Sequence, residues 1–340
     1  MKIVDIEFVR DVWILYIFFL RNDVTKAASK DVEPREDLMD FSAKKRKRCY
    51  GLSSERWYSG SKVSAEEFKQ SEENFGKIAL EDDVEKKLEL LNSSRVFLAV
   101  KFRTCDPAAH FHSLQPFWEM PFGPDMLSNQ FEWASLEGSR DGSLKKTIEK
   151  NTTSTFNLVV RYLADKKGEI WAKKYDEVYQ NSRAHFGNSI LARVFLLREL
   201  AKSWKNSPEK LVFIEGEDDL SKVSNQPFIH VLKMNQTGEG DYDERLCISV
   251  RIGTTLIFND VTLTGALASV IELAFVFNLM FPKDADDIFQ FVQRILANYG
   301  PVDGARNAIG KVKKPFVDFQ CAVGQMIVDS DKGEVRKMFV

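Results

Sequence analysis

Leu246-Cys247-Ile248-Ser249-Val250-Arg251-Ile252-Gly253-Thr254-Thr255-Leu256-Ile257-Phe258, followed closely by the apolar stretch Leu263 to Phe281, decides the fold class. Residues 246–252 and 255–258 are rich in β-branched and large apolar side chains, and Gly253-Thr254 separates them as the turn of a hairpin would. Two earlier runs, Leu211 to Glu215 and Phe228 to Lys233, are strand-like for the same reason. Together they predict an antiparallel sheet. Residues 263–281 then predict one long apolar helix. Asp284 is placed to cap a second helix with Ile288, Phe289, Val292, Ile295 and Leu296 on its core face, ended by Gly300-Pro301. Helices and strands come in clusters instead of alternating, so the expected class is α+β: an antiparallel sheet packed by long C-terminal helices.

Working back toward the N-terminus, Phe186, Ile190, Val194, Leu197, Ala201 and Trp204 recur at spacings of three and four and predict a helix over 183–204 with one buried face. Phe156 to Leu163 suits a strand, with a helical reading open. Val96 to Val100 reads as a strand, and the Pro-rich, aromatic stretch Pro107 to Pro124 as a structured loop. Ser64 and Glu67 have capping-box spacing at the head of a charged helical pattern that runs toward Leu91. Before it, residues 1–60 have the composition of a poorly ordered segment: mixed charge from Lys26 to Arg48, then Gly and Ser around 51–61. The expected organisation is a flexible segment over 1–60, a mixed helical and irregular region over 61–150, and an α+β globular domain over 151–340.

Composition excludes some classes. The 340 residues are 44% hydrophobic and 29% charged, which argues against disorder along most of the length. The 26 Phe residues speak for deep cores. A net charge of −2 gives no global bias toward nucleic acid or acidic membranes, so any such binding would be local. Cys49, Cys105, Cys247 and Cys321 are too scattered for a disulfide framework, which points to a reducing, intracellular setting. The apolar run Val12 to Leu20 follows Asp5, Glu7 and Asp11, lacks a cleavage site after it, and is shorter than the ~20 residues a bilayer helix needs. Residues 263–281 approach that length, but Glu272 at the middle disfavours a membrane span, and a core helix of a soluble domain with Glu272 paired or at the solvent edge explains the same residues.

Four short patterns carry possible chemistry. Lys44-Lys45-Arg46-Lys47-Arg48 has the form of a nuclear localisation signal, able to dock on an acidic import receptor or, more weakly, on nucleic-acid phosphates. Its plainer reading is a solvated charge run. Glu215, Asp218 and Asp219 follow a strand, where metal-dependent nucleases place their carboxylates, yet acidic loops after strands are common. Cys105, His110 and His112 lack a fourth ligand for zinc, and Gly238-Glu239-Gly240 lacks the lysine and context of a phosphate loop. No cofactor, metal site or catalytic residue is assigned.

Phe275-Val276-Phe277-Asn278-Leu279, then Phe281-Pro282-Lys283, then Phe289, Phe291 and Gln293-Arg294 form a pattern that resembles a group of multicopy metazoan proteins. These are proteins described as similar to sterile alpha motif domain-containing protein 3, and the resemblance runs from Pro227 onward. Phe281 stands where that family has Tyr. The resemblance implies an intracellular protein associated with mobile elements and transfers no active site. The leading expectation is therefore a non-enzymatic interaction protein, nuclear or nucleocytoplasmic. The alternatives are a metal-dependent nucleic-acid enzyme, nuclease or transposase-like, and a membrane-associated protein.

Overall fold

The computed structural model describes residues 64–78, 80–98, 123–134, 143–219, 221, 226–235, 244–277, 279, 281–298, 318, 319, 321 and 322. Val12 to Leu20, the basic run 44–48, the cluster Cys105, His110 and His112, Gly238 to Gly240, and Gly300-Pro301 lie outside them. So does the segment 1–60 as a whole.

Two short helices come first. Helix α1 (Ala65–Ile78) begins as the capping-box spacing predicts, with the Glu67 amide donating to Ser64 Oγ at 3.1 Å. Helix α2 (Val84–Ser93) has its own cap, because Asp83 accepts from the amides of Glu85 and Lys86. Residues 95–98 form a further helical turn, not the strand expected over 96–100. The reason lies in local packing: the Phe97 amide donates to Ser71 Oγ, and the ring sits 5.8 Å from Phe68 and 5.2 Å from Phe75 on α1.

Helix α3 (Gly123–Ala134) and the 24-residue helix α4 (Leu144–Lys167) follow. The alternative left open for residues 156–163 is the one realised, and they lie inside α4. Its buried side chains Ile148, Thr152, Phe156, Val159 and Leu163 recur at helical spacing, a pattern longer than any strand in the fold. The single helix expected over 183–204 is two, α5 (Glu169–Phe186) and α6 (Ile190–Ser203). Gly187, at φ 63°, ends α5 in the left-handed conformation that glycine adopts without steric cost. Ser182 Oγ spans the break, accepting from the Leu191 amide and donating to the Asn188 carbonyl. Helical periodicity survives across the break because both helices bury apolar faces in one core.

Strands β1 (Val212–Ile214), β2 (Pro227–Asn235), β3 (Glu244–Ile252) and β4 (Thr255–Phe258) form one sheet in that order. The antiparallel expectation holds for β2, β3 and β4, with the hairpin turn at Gly253-Thr254, while β1 lies parallel to β2. The chain is thus α+β with a mainly antiparallel sheet.

Helix α7 (Leu263–Val276) starts where Thr262 Oγ1 accepts from the Gly265 amide, and ends five residues short of the expected Phe281. Phe281 stays in the core, 4.8 Å from Phe289. Helix α8 (Asp286–Phe291) is not capped by the Asp284 side chain. Asn206, far away in sequence, takes that role: its Oδ1 accepts from the Ile288 amide at 3.0 Å while its Nδ2 donates to Asp287. The backbone carbonyl of Asp284 accepts instead from the Ser207 amide. A π-helical turn (Val292–Leu296) continues α8, and Asn151 on α4 donates to the Leu296 carbonyl.

Apolar side chains from Ile78 to Phe319 form one buried cluster, with α7 at its centre. Leu267, Ile271 and Phe275 are all buried, and α7 packs on β2 and β3, on α3 and on α4. Among the described residues no helix is long and apolar enough to cross a membrane. Truncating Ile271 to alanine removes buried methylenes at a site with neighbours on every side, and should cost about 2–5 kcal/mol of unfolding free energy in a denaturant titration. An unchanged midpoint would mean that α7 is not enclosed.

Candidate functional site

The acidic residues after β1 are the natural place to look for chemistry, and each has a structural engagement. Strand β1 is at one edge of the sheet. Its residues 211, 213 and 215 turn their backbone groups toward β2, as the Ile229 amide to Leu211 carbonyl and Glu215 amide to Val231 carbonyl bonds require. Val212 and Ile214 therefore aim theirs outward, at the open edge. Arg198 on α6 donates to the Val212 carbonyl at 2.6 Å and to both oxygens of Asp218 at 2.6 and 2.8 Å. Asp218 in turn accepts from the Ile214 amide at 2.7 Å. The Ile214 carbonyl accepts from the amides of Glu217 and Asp218. The Arg198–Asp218 pair thus occupies an outward carbonyl and an outward amide of β1, as a neighbouring strand would. Burial pushes the Asp218 carboxyl up, but the Arg198 guanidinium and the Ile214 amide outweigh it and hold it below the ordinary carboxylate range.

The neighbouring carboxylates are tied down in the same loop. Glu217 pairs with Lys233 on β2 at 2.8 Å, and Asp219 accepts from the Ser221 amide at 2.9 Å. Among the described residues no group of three His, Cys, Asp or Glu side chains is arranged to hold a metal ion.

Glu215 has the most suggestive partner. Phe213, His230 and Ser249 sit side by side on β1, β2 and β3, because the register pairs 213 with 230 and 230 with 249. Glu215 Oε2 lies 2.5 Å from His230 Nε2, and His230 Nδ1 lies 3.3 Å from Ser249 Oγ. Carboxylate, imidazole and hydroxyl in line is the order of a proton relay for a nucleophilic serine. Accessibility runs the wrong way for that use. Ser249, the would-be nucleophile, is 3% exposed in mid-strand, whereas the Glu215 side chain is 45% exposed. The imidazole stacks on Phe213 at 5.6 Å. The row binds His230 into the sheet and offers a substrate no approach to Ser249.

Glu272 is the most perturbed acid. It occupies α7 among Leu, Ile, Ala and Phe, is 1% exposed, and accepts from Ser128 Oγ on α3 at 2.9 Å. Burial pushes its carboxyl up to about 8; the Ser128 hydroxyl opposes this, and Glu132 and Asp125 on α3 add to it. Glu272 is therefore protonated at neutral pH. The sequence expectation placed it in a pair or at the solvent edge, and the helix is too fully enclosed for the edge.

Two features had no earlier reading. Glu199, in the core face of α6, accepts from Lys167 at 2.7 Å, Lys202 at 3.0 Å and the Trp171 indole at 3.2 Å. Burial opposes its charge, but the two lysines hold it below the usual range. The second is an aromatic ladder on α5. Trp171 and Tyr175 stack at 5.8 Å and 9°, Tyr179 follows at 6.2 Å, and Phe195 of α6 lies 6.3 Å from Trp171 with Lys174 over its ring. The spacing 171, 175, 179 is the signal that would have found it.

Comparison of the chain with protein-family models, with curated proteins and with solved structures gave no match.

Asp218 contributes stability above the ordinary carboxylate pKa that is lost as pH falls through its lowered folded value. Replacing it with alanine should cost about 1.5–3 kcal/mol at pH 7, the range for hydrogen bonds to a charged group. In chemical denaturation the gap from wild type should begin to shrink below about pH 4, where the unfolded carboxyl takes up its proton, and close only as pH falls through the lowered folded value.

Proposed function

We propose that this chain acts by binding another protein instead of catalysing a reaction, and that Lys44, Lys45, Arg46, Lys47 and Arg48 direct it to the nucleus through an acidic import receptor. The observation that carries the binding half is the α5 ladder. Trp171 is anchored in the core, while Tyr175, Tyr179 and Phe195 are half-buried at the surface. Stacked, pre-ordered aromatic rings present large contact area at low entropic cost, and such residues dominate the energetics of protein interfaces. Lys174, Asp176 and Glu177 beside them are exposed and of mixed sign, which suits a polar rim around a protein partner better than a phosphate backbone.

The same reading accommodates the acidic loop. Asp218 is committed to Arg198 and the β1 edge, Glu217 to Lys233, and Glu215 to His230, so these carboxylates are spent on the fold. The resemblance of residues 275–294 to multicopy metazoan proteins supports an intracellular protein of this kind, and the basic run supports the nuclear setting.

The binding half predicts that changing Tyr175 and Tyr179 together to alanine removes a reproducible set of cross-linked partners from the tagged full chain, with its thermal unfolding midpoint unchanged. Retention of the same set would reject the ladder as the binding surface. Magnesium- or manganese-dependent cleavage of DNA or RNA by the purified chain, abolished by chelator, would replace the binding reading with a nucleic-acid enzyme. The targeting half predicts that a fluorescent fusion loses nuclear enrichment when residues 44–48 become alanine. A fusion equally nuclear with the alanines refutes it.

A further inference from the structure

We propose that α3 is a proton-held cover over α7: it stays docked while Glu272 carries its proton and comes away as Glu272 ionises. The geometry is specific. Helix α3 docks on α7 through Leu127, which is fully buried, and through Phe131, whose ring meets Phe275 edge-on at 4.9 Å. Between these apolar contacts the Ser128 hydroxyl reaches Glu272. One titratable group therefore lies in the middle of an otherwise greasy contact, one turn of α7 from Phe275.

Among the described residues, the charged groups that shift Glu272 all favour its neutral form. From α3 the facing groups are Asp125 and Glu132, both exposed and both raising the cost of a second negative charge. From α4, Glu149 and Lys145 approach only the start of α7, at Thr264 and Gly265, about two turns away. From β2 and β3, the buried residues in the same core cluster as α7 are Ile229, Val231, Ile248, Val250 and Ile252, which carry no charge. The π-helical turn contributes Arg294, whose electrostatic partner is Asp286. Among the described residues no cation is among the groups that shift Glu272. An ionised Glu272 can find solvent only if the contact with α3 opens.

The sign follows from proton linkage. Docked Glu272 holds its proton up to about pH 8, whereas an exposed carboxyl gives it up near the ordinary value of 4.5. Between these limits opening releases a proton, so the open fraction rises about tenfold per pH unit and then levels off. Opening would bare Leu127, Phe131 and Phe275, an apolar face that is covered at lower pH.

Native-state hydrogen exchange on the full-length chain, read by mass spectrometry as protection factors, tests this. For a peptide spanning residues 123–134, protection should fall about tenfold per pH unit from pH 6 to 8, while a peptide from α6 holds constant. In the Glu272→Gln variant the slope should vanish. Should that variant fail to fold, the surface double variant Asp125→Asn/Glu132→Gln serves instead, and its protection should level off at a lower pH than wild type. Protection of 123–134 that is flat with pH in the wild type overturns the proposal. So does an undiminished slope in Glu272→Gln, a plateau unmoved in the double variant, or an equal fall in α6.

Discussion

A helix with no polar face must be enclosed on every side, and α7 imposes that constraint on the rest of the molecule. Every described side chain from Ala266 to Val276 on it is buried. Amphipathic packing needs one neighbour; an all-apolar helix needs neighbours all round. Strands β2 and β3 close one side, α3 another, and α4 with the π-helical turn the remainder. The sheet is small and the helices numerous because the central element is a helix and strands can cover only part of its circumference.

The sheet in turn has an edge to protect. Strand β1 is three residues long and parallel to β2, and its outward carbonyl and amide are met by Arg198 and Asp218 instead of another strand. Both side chains of that pair are about nine-tenths buried, at 11% and 10% exposed. A bidentate guanidinium–carboxylate pair in that setting is fixed in direction, which lets it occupy backbone groups that would otherwise recruit a foreign strand. The acidic loop resembles a metal-binding loop in sequence because both uses need carboxylates just past a strand end. What separates them is the cation across the turn, and Arg198 is twenty residues away on another element.

Much of the fold was legible in the sequence. The four strands, the Gly253-Thr254 hairpin, the Ser64 cap and the start of α7 are set by neighbours close in sequence, where period and turn chemistry act directly. Features fixed by distant partners were not. Asn206 caps α8 from across the chain, displacing the Asp284 expected from local spacing, and Gly187 breaks a helix whose apolar period runs through unbroken. Residues 96–98 turn as a helix because Phe97 has Phe68 and Phe75 to pack on. Of the candidate site, Glu215, Asp218 and Asp219 were found by position, but their partners His230 and Arg198 could not be. Glu272 reads from the sequence as an obstacle to a membrane span that is paired or at the solvent edge, and a single sequence does not show that Ser128 stands opposite it.

An all-apolar helix also carries little information about its own rotation or register, because sliding or turning it exchanges one aliphatic contact for another. That information has to come from the few polar contacts that α7 makes. Thr264 reaches Glu149 on α4 at one end, and Glu272 accepts from Ser128 on α3 eight residues on. The two bonds point to different neighbours, so together they fix both the angle of α7 about its axis and its position along it. The same device recurs at the start of α8, where Asn206 ties Asp287 and the Ile288 amide. A protonated carboxyl is well suited to this use. It makes directional hydrogen bonds without the cost of burying a charge, and it does so only in the pH range where it stays neutral.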